Sequence, residues 1–190
     1  NLLPLYFGIC PDSLRTAVFE KIRIKTHVEN HGHISTGLIG SQWIMRGLTE
    51  YGYPDLAYIM ASNKTYPSWG YMAENGATTI WELWNGNTAD PGMNSQNHVM
   101  LLGDLLTWFY ENLAGIRSNK TDVAFKKIIM KPTVPAGLDF VKASYNSFHG
   151  LIKSEWKNTE DQYPCKYSCY YLYSCKQCRR NYGKRNSCYK

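Results

Sequence analysis

Along residues 1–116 the apolar positions recur at helical spacing, separated by loops rich in glycine and proline. Pro11 and Asp12 open a helix whose apolar face is Leu14, Val18, Phe19 and Ile22. A second helix is expected from about Ser35 to Tyr51, with Leu38, Ile39, Trp43 and Ile44 inward and Gly52 as its stop. Pro54 opens a third, short helix through Met60. A fourth is expected from about Asn97 to Leu113, ending at Gly115, with Met100, Leu101, Leu105, Trp108, Phe109 and Leu113 on its apolar face. Residues 117–124 are polar and read as a link. From Phe125 the period changes to that of strands, in KKIIMKP, GLDFVKASYNS and GLIKSEWK, with Asn146 to Gly150 as a hairpin connection. Helices followed by a run of strands predict two segregated domains. The expected division is a helical part over 1–116, a linker over 117–124, a β part over 125–158 and a separate tail over 159–190.

Composition changes this picture in one place. A chain of 190 residues with 44% hydrophobic content is ordinary for one or two small globular domains. No apolar run approaches the ~20 residues that span a bilayer, so no membrane partner is expected. No basic and apolar leader is visible, and the pattern is already under way at NLLPLY, which reads as a piece of a longer protein. Periplasmic or extracellular placement is expected over cytoplasmic. The charge is divided unevenly. Residues 1–156 hold 13 Lys/Arg and 13 Asp/Glu, whereas residues 157–190 hold 8 and 2, which supplies the whole net charge of +6. That tail also carries five of the six cysteines and seven of the fifteen tyrosines.

A basic, Tyr-rich tail could bind nucleic acid or an anionic surface, and its cysteines could form a zinc or disulfide module. Only five residues separate Cys169 from Cys175, against ~12–20 between the ligand pairs of zinc modules. A different origin fits better. Codons can be chosen for Tyr163 to Lys190 so that the frame one base later reads IPVNTVATIYIPVNNVEEITEKGIPVI without a stop. That readout alternates Val, Ile and Thr like a strand. A reading-frame slip near codons 160–164 is therefore expected, no nucleic-acid partner is, and no metal is assigned. Sequencing the coding DNA tests it. An intact gene whose relatives keep the Cys-rich tail would overturn the slip. Cys10, in an apolar run, reads as a small buried hydrophobe.

Candidate chemistry concentrates in Tyr66 to Gly86, YPSWGYMAENGATTIWELWNG. The stretch gathers Trp69, Trp81 and Trp84 with two isolated acids, Glu74 and Glu82. Flat aromatic faces suit the C–H faces of a pyranose, and a carboxylate among aromatics suits proton transfer. The same tryptophans serve equally well as core, and the acids as helix caps.

Five stretches, in order over Asn1 to Trp156, resemble the C-terminal part of bacterial α-L-rhamnosidases, glycoside hydrolase family 78. They are NLLPLYFGICPDSLRTAVFEKI, GHISTGLIGSQWIMRGLTEYGYPDLAY, YPSWGYMAENGATTIWELWNG, MNSQNHVMLLGDLLTWFYENLAGI, and FKKIIMKP with GLDFVKASYNSFHGLIKSEWK. The resemblance implies the last helices of an (α/α)6 barrel followed by a small antiparallel β-sandwich. Fewer helices are visible than such a barrel needs, so the missing N-terminal part of the same barrel is an expected partner. It further implies an inverting hydrolase acting on a rhamnose-containing glycoside or polysaccharide, without a cofactor.

In that reading Glu82, the Glu of ATTIWE, is the general base. Helix capping or pairing with a cation is its alternative role. Glu74 is the rival acid, expected to orient the loop or bond a sugar hydroxyl. His98 falls where the family has a substrate-contacting His; Asn97 beside it could share that work, and Trp69 is a candidate sugar platform. His33 is expected to be structural, fixing the loop before the second helix. The general acid belongs to a segment upstream of Asn1. A non-catalytic carbohydrate-binding remnant and a helical-barrel enzyme for another sugar are the competing readings.

Overall fold

The computed structural model describes residues 1–98, 105–119, 121–158 and 166–171. Helices come first and antiparallel strands follow, in two compact units, Asn1–Leu106 and Thr107–Lys190.

In the first unit α1 is Leu2–Tyr6 and α2 is Asp12–Ile24, entered through Pro11, with a π-helical turn, Lys25–Glu29, continuing it. Next come α3, Leu38–Glu50, and α4, Pro54–Ser62, started by its own proline at the first helical position. A short α5, Trp69–Glu74, follows. α3 is the centre of this packing, against α1 on one side and α4 on the other. Its buried stripe is Ser41, Ile44, Met45 and Leu48, the i, i+3, i+4, i+7 spacing of one helical face. Ile39 falls off that stripe and is exposed, and Leu14 of α2 is exposed too, so both inward expectations are corrected. The side chain of Leu38 and the expected positions Met100 and Leu101 lie outside the described residues. Trp43 is half-buried, held by aromatic contacts with Tyr6 at 4.7 Å and Phe7 at 4.9 Å and by the Arg46 guanidinium 4.4 Å above its ring. Cys10 is buried with its thiol free.

The fourth expected helix does not begin at Asn97. Asn97 and His98 are irregular, and the described helical part covers 105–108 with a π-helical turn, Phe109–Leu113. Residues 99–104 lie outside the description.

The second unit is built around the end of that helix. β1 (Ile116–Ser118) pairs antiparallel with β2 (Ile128–Met130), so the polar stretch after Ile116 folds back on itself. β3 (Phe140–Ser147) pairs with β4 (Gly150–Lys157), and Ser147 opposite Gly150 leaves a two-residue turn, as the hairpin pattern predicts. β5 (Lys166–Tyr171) pairs antiparallel with the other edge of β4.

Alternation on β4 decides the core. Ile152, Ser154 and Trp156 point inward, and Ile152 joins Ala114 and Ile116 with Ile128, Met130, Val141 and Ala143 packed around them. The two polar groups in this row are spent on the helix end. Ser154 Oγ donates to the carbonyl of Ala114 at 2.6 Å, and Trp156 Nε1 to that of Leu113 at 2.8 Å. Carbonyls that would be orphaned at a helix C-terminus thereby find buried donors. The cysteines of the tail other than Cys169, and most of the frame-shifted reading, lie outside the described residues.

Candidate active site

α5 sets the site. Ser68, buried and extended, is its N-cap, and its Oγ accepts the Tyr71 N–H at 2.9 Å. Replacing Ser68 with Ala leaves that donor without its cap; an expected loss of about 1 kcal/mol, read from thermal or urea unfolding, checks the cap. Glu74, at the other end, binds Lys64 Nζ at 2.8 Å. The hydrogen bond from Lys64, then its charge, hold the Glu74 carboxyl below the usual carboxylate range. Lys64→Met is expected to raise the Glu74 pKa, followed by NMR titration. Since the folded pKa is the lower one, the pair stabilises above the unfolded carboxylate pKa, about 4.3, and its contribution fades as pH falls below that. Both groups are exposed, so the change in stability is small.

Past α5 the chain runs irregularly to residue 98, and two of its segments zip together. His98 N donates to the Ile80 carbonyl at 2.7 Å, and Glu82 N to the Ser95 carbonyl at 2.8 Å. Ser95 N returns the bond to Glu82 Oε2 at 3.0 Å. Leu83 N is taken by Asn94 Oδ1 at 3.0 Å, and Thr79 Oγ1 donates to the Gln96 carbonyl. Glu82 is therefore an exposed loop residue, neither helix cap nor ion pair among the described residues. One carboxylate oxygen is fixed by a backbone N–H. The other has no partner among the described residues and is open to water or a ligand.

Among the described residues, two hollows flank the zipper. The larger, about 480 Å³, is walled by Asn75, Asn87, Gln96 and Asn97 with Thr79 and Trp81. The smaller, about 280 Å³, is apolar, lined by Trp69, Met72, Ala77 and Ile80, with Asn97 at its edge. Trp69 is 5% exposed and lies edge-to-face with Trp84 at 5.3 Å. Its Nε1–H has no partner among the described residues, so a buried donor stands beside an apolar hollow.

The chain resembles known proteins over nearly all of its described length. The family model for the bacterial α-L-rhamnosidase six-hairpin glycosidase domain matches residues 1–113, and the model for the bacterial α-L-rhamnosidase C-terminal domain matches 115–168. This chain belongs to the bacterial α-L-rhamnosidase family. An α-L-rhamnosidase of Formosa agariphila is 37% identical over 161 residues, which is 82% of this chain and 17% of the relative. The structure of α-L-rhamnosidase from Dictyoglumus thermophilum superposes with a TM-score of 0.78 at 38% identity, covering 84% of this chain and 18% of that one. The Streptomyces avermitilis α-L-rhamnosidase complexed with L-rhamnose gives a TM-score of 0.81 at 29% identity, covering 89% and 16%. The chain spans only 15–18% of the length of the curated relatives it matches.

Within the rhamnosidase frame, the helical unit is part of a six-hairpin glycosidase domain, and the sheets form the small C-terminal domain. The zipper brings Glu82, Asn97 and His98 onto paired segments, and one hollow places Trp69 beside Asn97. Glu74 stands outside this group, tied to Lys64. His33 is occupied on both ring nitrogens, by the Asn30 carbonyl at 2.9 Å and Thr65 Oγ1 at 2.7 Å, so it joins the loop ahead of α3 to the segment leading into α5. Sequence reasoning passed over Ser95, Asn94, Asn75 and Asn87. Their signal was the density of asparagine in AENGA, NGNTAD and MNSQN, a residue type suited to bonding backbone at irregular turns.

Proposed function

We propose that this chain is the C-terminal part of an inverting glycoside hydrolase that removes terminal α-L-rhamnose from glycosides or polysaccharides, with Glu82 as general base. The observation that carries the reading is the Glu82 carboxylate, held at one oxygen by Ser95 N–H and open at the other. A base so anchored cannot swing onto a neighbouring donor, and its open oxygen takes the proton of a water attacking the anomeric carbon. The C–O bond to the leaving group breaks as the water oxygen bonds, on opposite faces of the ring, so the product is β-L-rhamnose.

His98 and Asn97, carried on the segment facing Glu82, are assigned to sugar hydroxyls. Trp69 offers only a narrow strip of ring, and its free N–H is the more useful group for a hydroxyl oxygen. Glu74 would have to release Lys64 to reach a sugar, so it is assigned to orienting the loop. Inversion needs a second carboxyl about 6.5–9.5 Å from the first to protonate the leaving oxygen. That acid is assigned to the N-terminal part of the barrel, the partner this chain requires.

The test is a chimera in which residues 1–158 replace the corresponding segment of the Streptomyces avermitilis enzyme. Hydrolysis of an aryl α-L-rhamnoside, with β-L-rhamnose as the first anomer seen by NMR, supports the assignment. The 190-residue chain alone is expected to give less than about a hundredth of that rate, because a general acid typically contributes 10²–10⁴-fold. A folded but inactive chimera, or α-L-rhamnose released first, overturns it.

A further inference from the structure

The amide of Asn94 does more than take the Leu83 N–H. Its Oδ1 accepts that proton at 3.0 Å, and its Nδ2 donates to the Gly86 carbonyl at 3.4 Å, the longer and weaker bond of the two. A donor on one side and an acceptor on the other leave the amide a single orientation. Leu83 and Gly86 are the ends of one turn, closed by Gly86 N–H donating to the Leu83 carbonyl at 3.1 Å. Asn94 therefore bonds both ends of that turn from outside, as a peptide group of a neighbouring strand would.

The turn starts one residue after the Glu82 carboxylate. Leu83 N is the last atom of the Glu82 ψ torsion, so a bond that holds it also holds the direction of the Glu82 side chain. At the other end of the turn Gly86 lies against the ring of Trp81, the buried residue before Glu82. A Cβ at Gly86 would stand 2.7 Å from carbons of that ring. Glu82 itself is held by the residue after Asn94: it gives its N–H to the Ser95 carbonyl at 2.8 Å and takes Ser95 N–H on Oε2 at 3.0 Å. Ser95 does this with backbone groups, which every residue but proline supplies. Asn94 does it with a side chain, so for holding Glu82 the residue type counts at 94 more than at 95.

We propose that Asn94 is a positioning residue for the general base, holding the Glu82 backbone so that the open carboxylate oxygen meets the attacking water. The inference rests on the reading of Glu82 as that base and adds the group that aims it. The bond from Ser95 fixes one oxygen, and the bonds on either side fix the stem that carries it. Catalytic groups work within about 0.5 Å of their productive geometry, and a shift of about 1 Å can cost on the order of 10²-fold in rate.

The experiment is a double-mutant cycle between Asn94→Ala and Glu82→Gln in the chimera that carries residues 1–158, with kcat and KM read on an aryl α-L-rhamnoside. Asn94→Ala is expected to lower kcat about 10–10²-fold with KM changed less than about threefold. In the Glu82→Gln background the same substitution should cost less than about twofold, because no base is left to aim. The acid limb of the pH–rate profile should survive in Asn94→Ala, since the carboxyl that ionises is still there. Hydrogen–deuterium exchange read by mass spectrometry should quicken in the peptide holding Glu82 to Gly86 and stay unchanged in β3 and β4. Asn94→Gln keeps the amide on a stem one methylene longer and should lose less than Asn94→Ala. It carries the same cycle if Asn94→Ala does not fold.

An equal loss in both backgrounds overturns the proposal: Asn94 would then serve the fold, and Glu82 would stand as base. An unchanged kcat, or unchanged exchange over 82–86, overturns it as well. If Glu82→Gln costs nothing, or the chimera folds without activity, the base assignment fails and the role of Asn94 falls with it.

Discussion

Gly115→Ala is expected to cost about 4 kcal/mol or more, the scale reserved for substitutions that a fold cannot relax around. Two effects add at this residue. Its φ of +69° lies in the left-handed region, where a side chain costs on the order of 1 kcal/mol. The larger effect is steric. A Cβ at Gly115 would stand 2.1 Å from Pro132 N and 2.3 Å from the Lys131 carbonyl carbon, and both are backbone atoms that no rotamer can move aside. The same crossing is fixed by Lys131 N donating to the Gly115 carbonyl at 2.9 Å. Pushing it apart also pulls on Ala114, whose carbonyl takes the buried Ser154 hydroxyl.

Gly76→Ala is the control. Its φ is +85° but a Cβ there meets nothing within 4 Å, so it carries the conformational strain without the clash. Urea unfolding followed by tryptophan fluorescence should separate the two by at least about 2 kcal/mol. Similar losses at both positions would mean that the crossing at Gly115 has room to relax.

Neither effect is visible in the chain as text, and the reason applies to the site as well. Patterns reveal what is local. Pro11 with Asp12 and Pro54 open α2 and α4 as expected, and the alternation around Asn146 to Gly150 gives the β3–β4 turn in register. These elements need only their own neighbours. Gly115 looks like an ordinary helix stop, and what demands glycine there is Pro132, far along the chain. Ile39 reads as part of an apolar face because one helical turn contains it, yet the stripe that packs is set by the neighbours of α3, and Ile39 is 57% exposed.

The same holds for Glu82. Its residue type and its place in ATTIWE pointed to a base by resemblance. Its anchor, Ser95, lies 13 residues on, across a stretch with neither helical nor strand period. The zipper is made of irregular backbone and asparagine side chains, which no periodicity marks. Helical expectation failed at Asn97 for that reason: the apolar face of the fourth helix was extended backwards into a segment whose N–H groups are spent on Ile80 and Ser95.

The second large effect is Glu82→Gln in the chimera, with kcat/KM on an aryl α-L-rhamnoside falling 10²–10⁴-fold. The substitution is chosen for what it keeps. A glutamine Oε1 can still accept Ser95 N–H, so the zipper and the fold should survive, and unfolding curves should coincide. What it removes is the ability to take a proton. KM should change far less than kcat, because the group acts on the attacking water more than on the bound sugar. The acid limb of the pH–rate profile, which reports ionisation of the base, should vanish with it. Azide, which attacks without needing a base, should restore turnover and leave β-L-rhamnosyl azide, the inverted product. A purely structural Glu82 would behave differently: kcat would respond to stability, the acid limb would persist, and azide would do nothing. The corresponding change at Glu74 supplies the contrast. Glu74→Gln breaks the ion pair with Lys64 on an exposed surface and should leave kcat within a few-fold. If instead the loss and the azide rescue appear at Glu74, the base has been assigned to the wrong end of α5's loop, and the bond from Ser95 to Glu82 is only part of the scaffold.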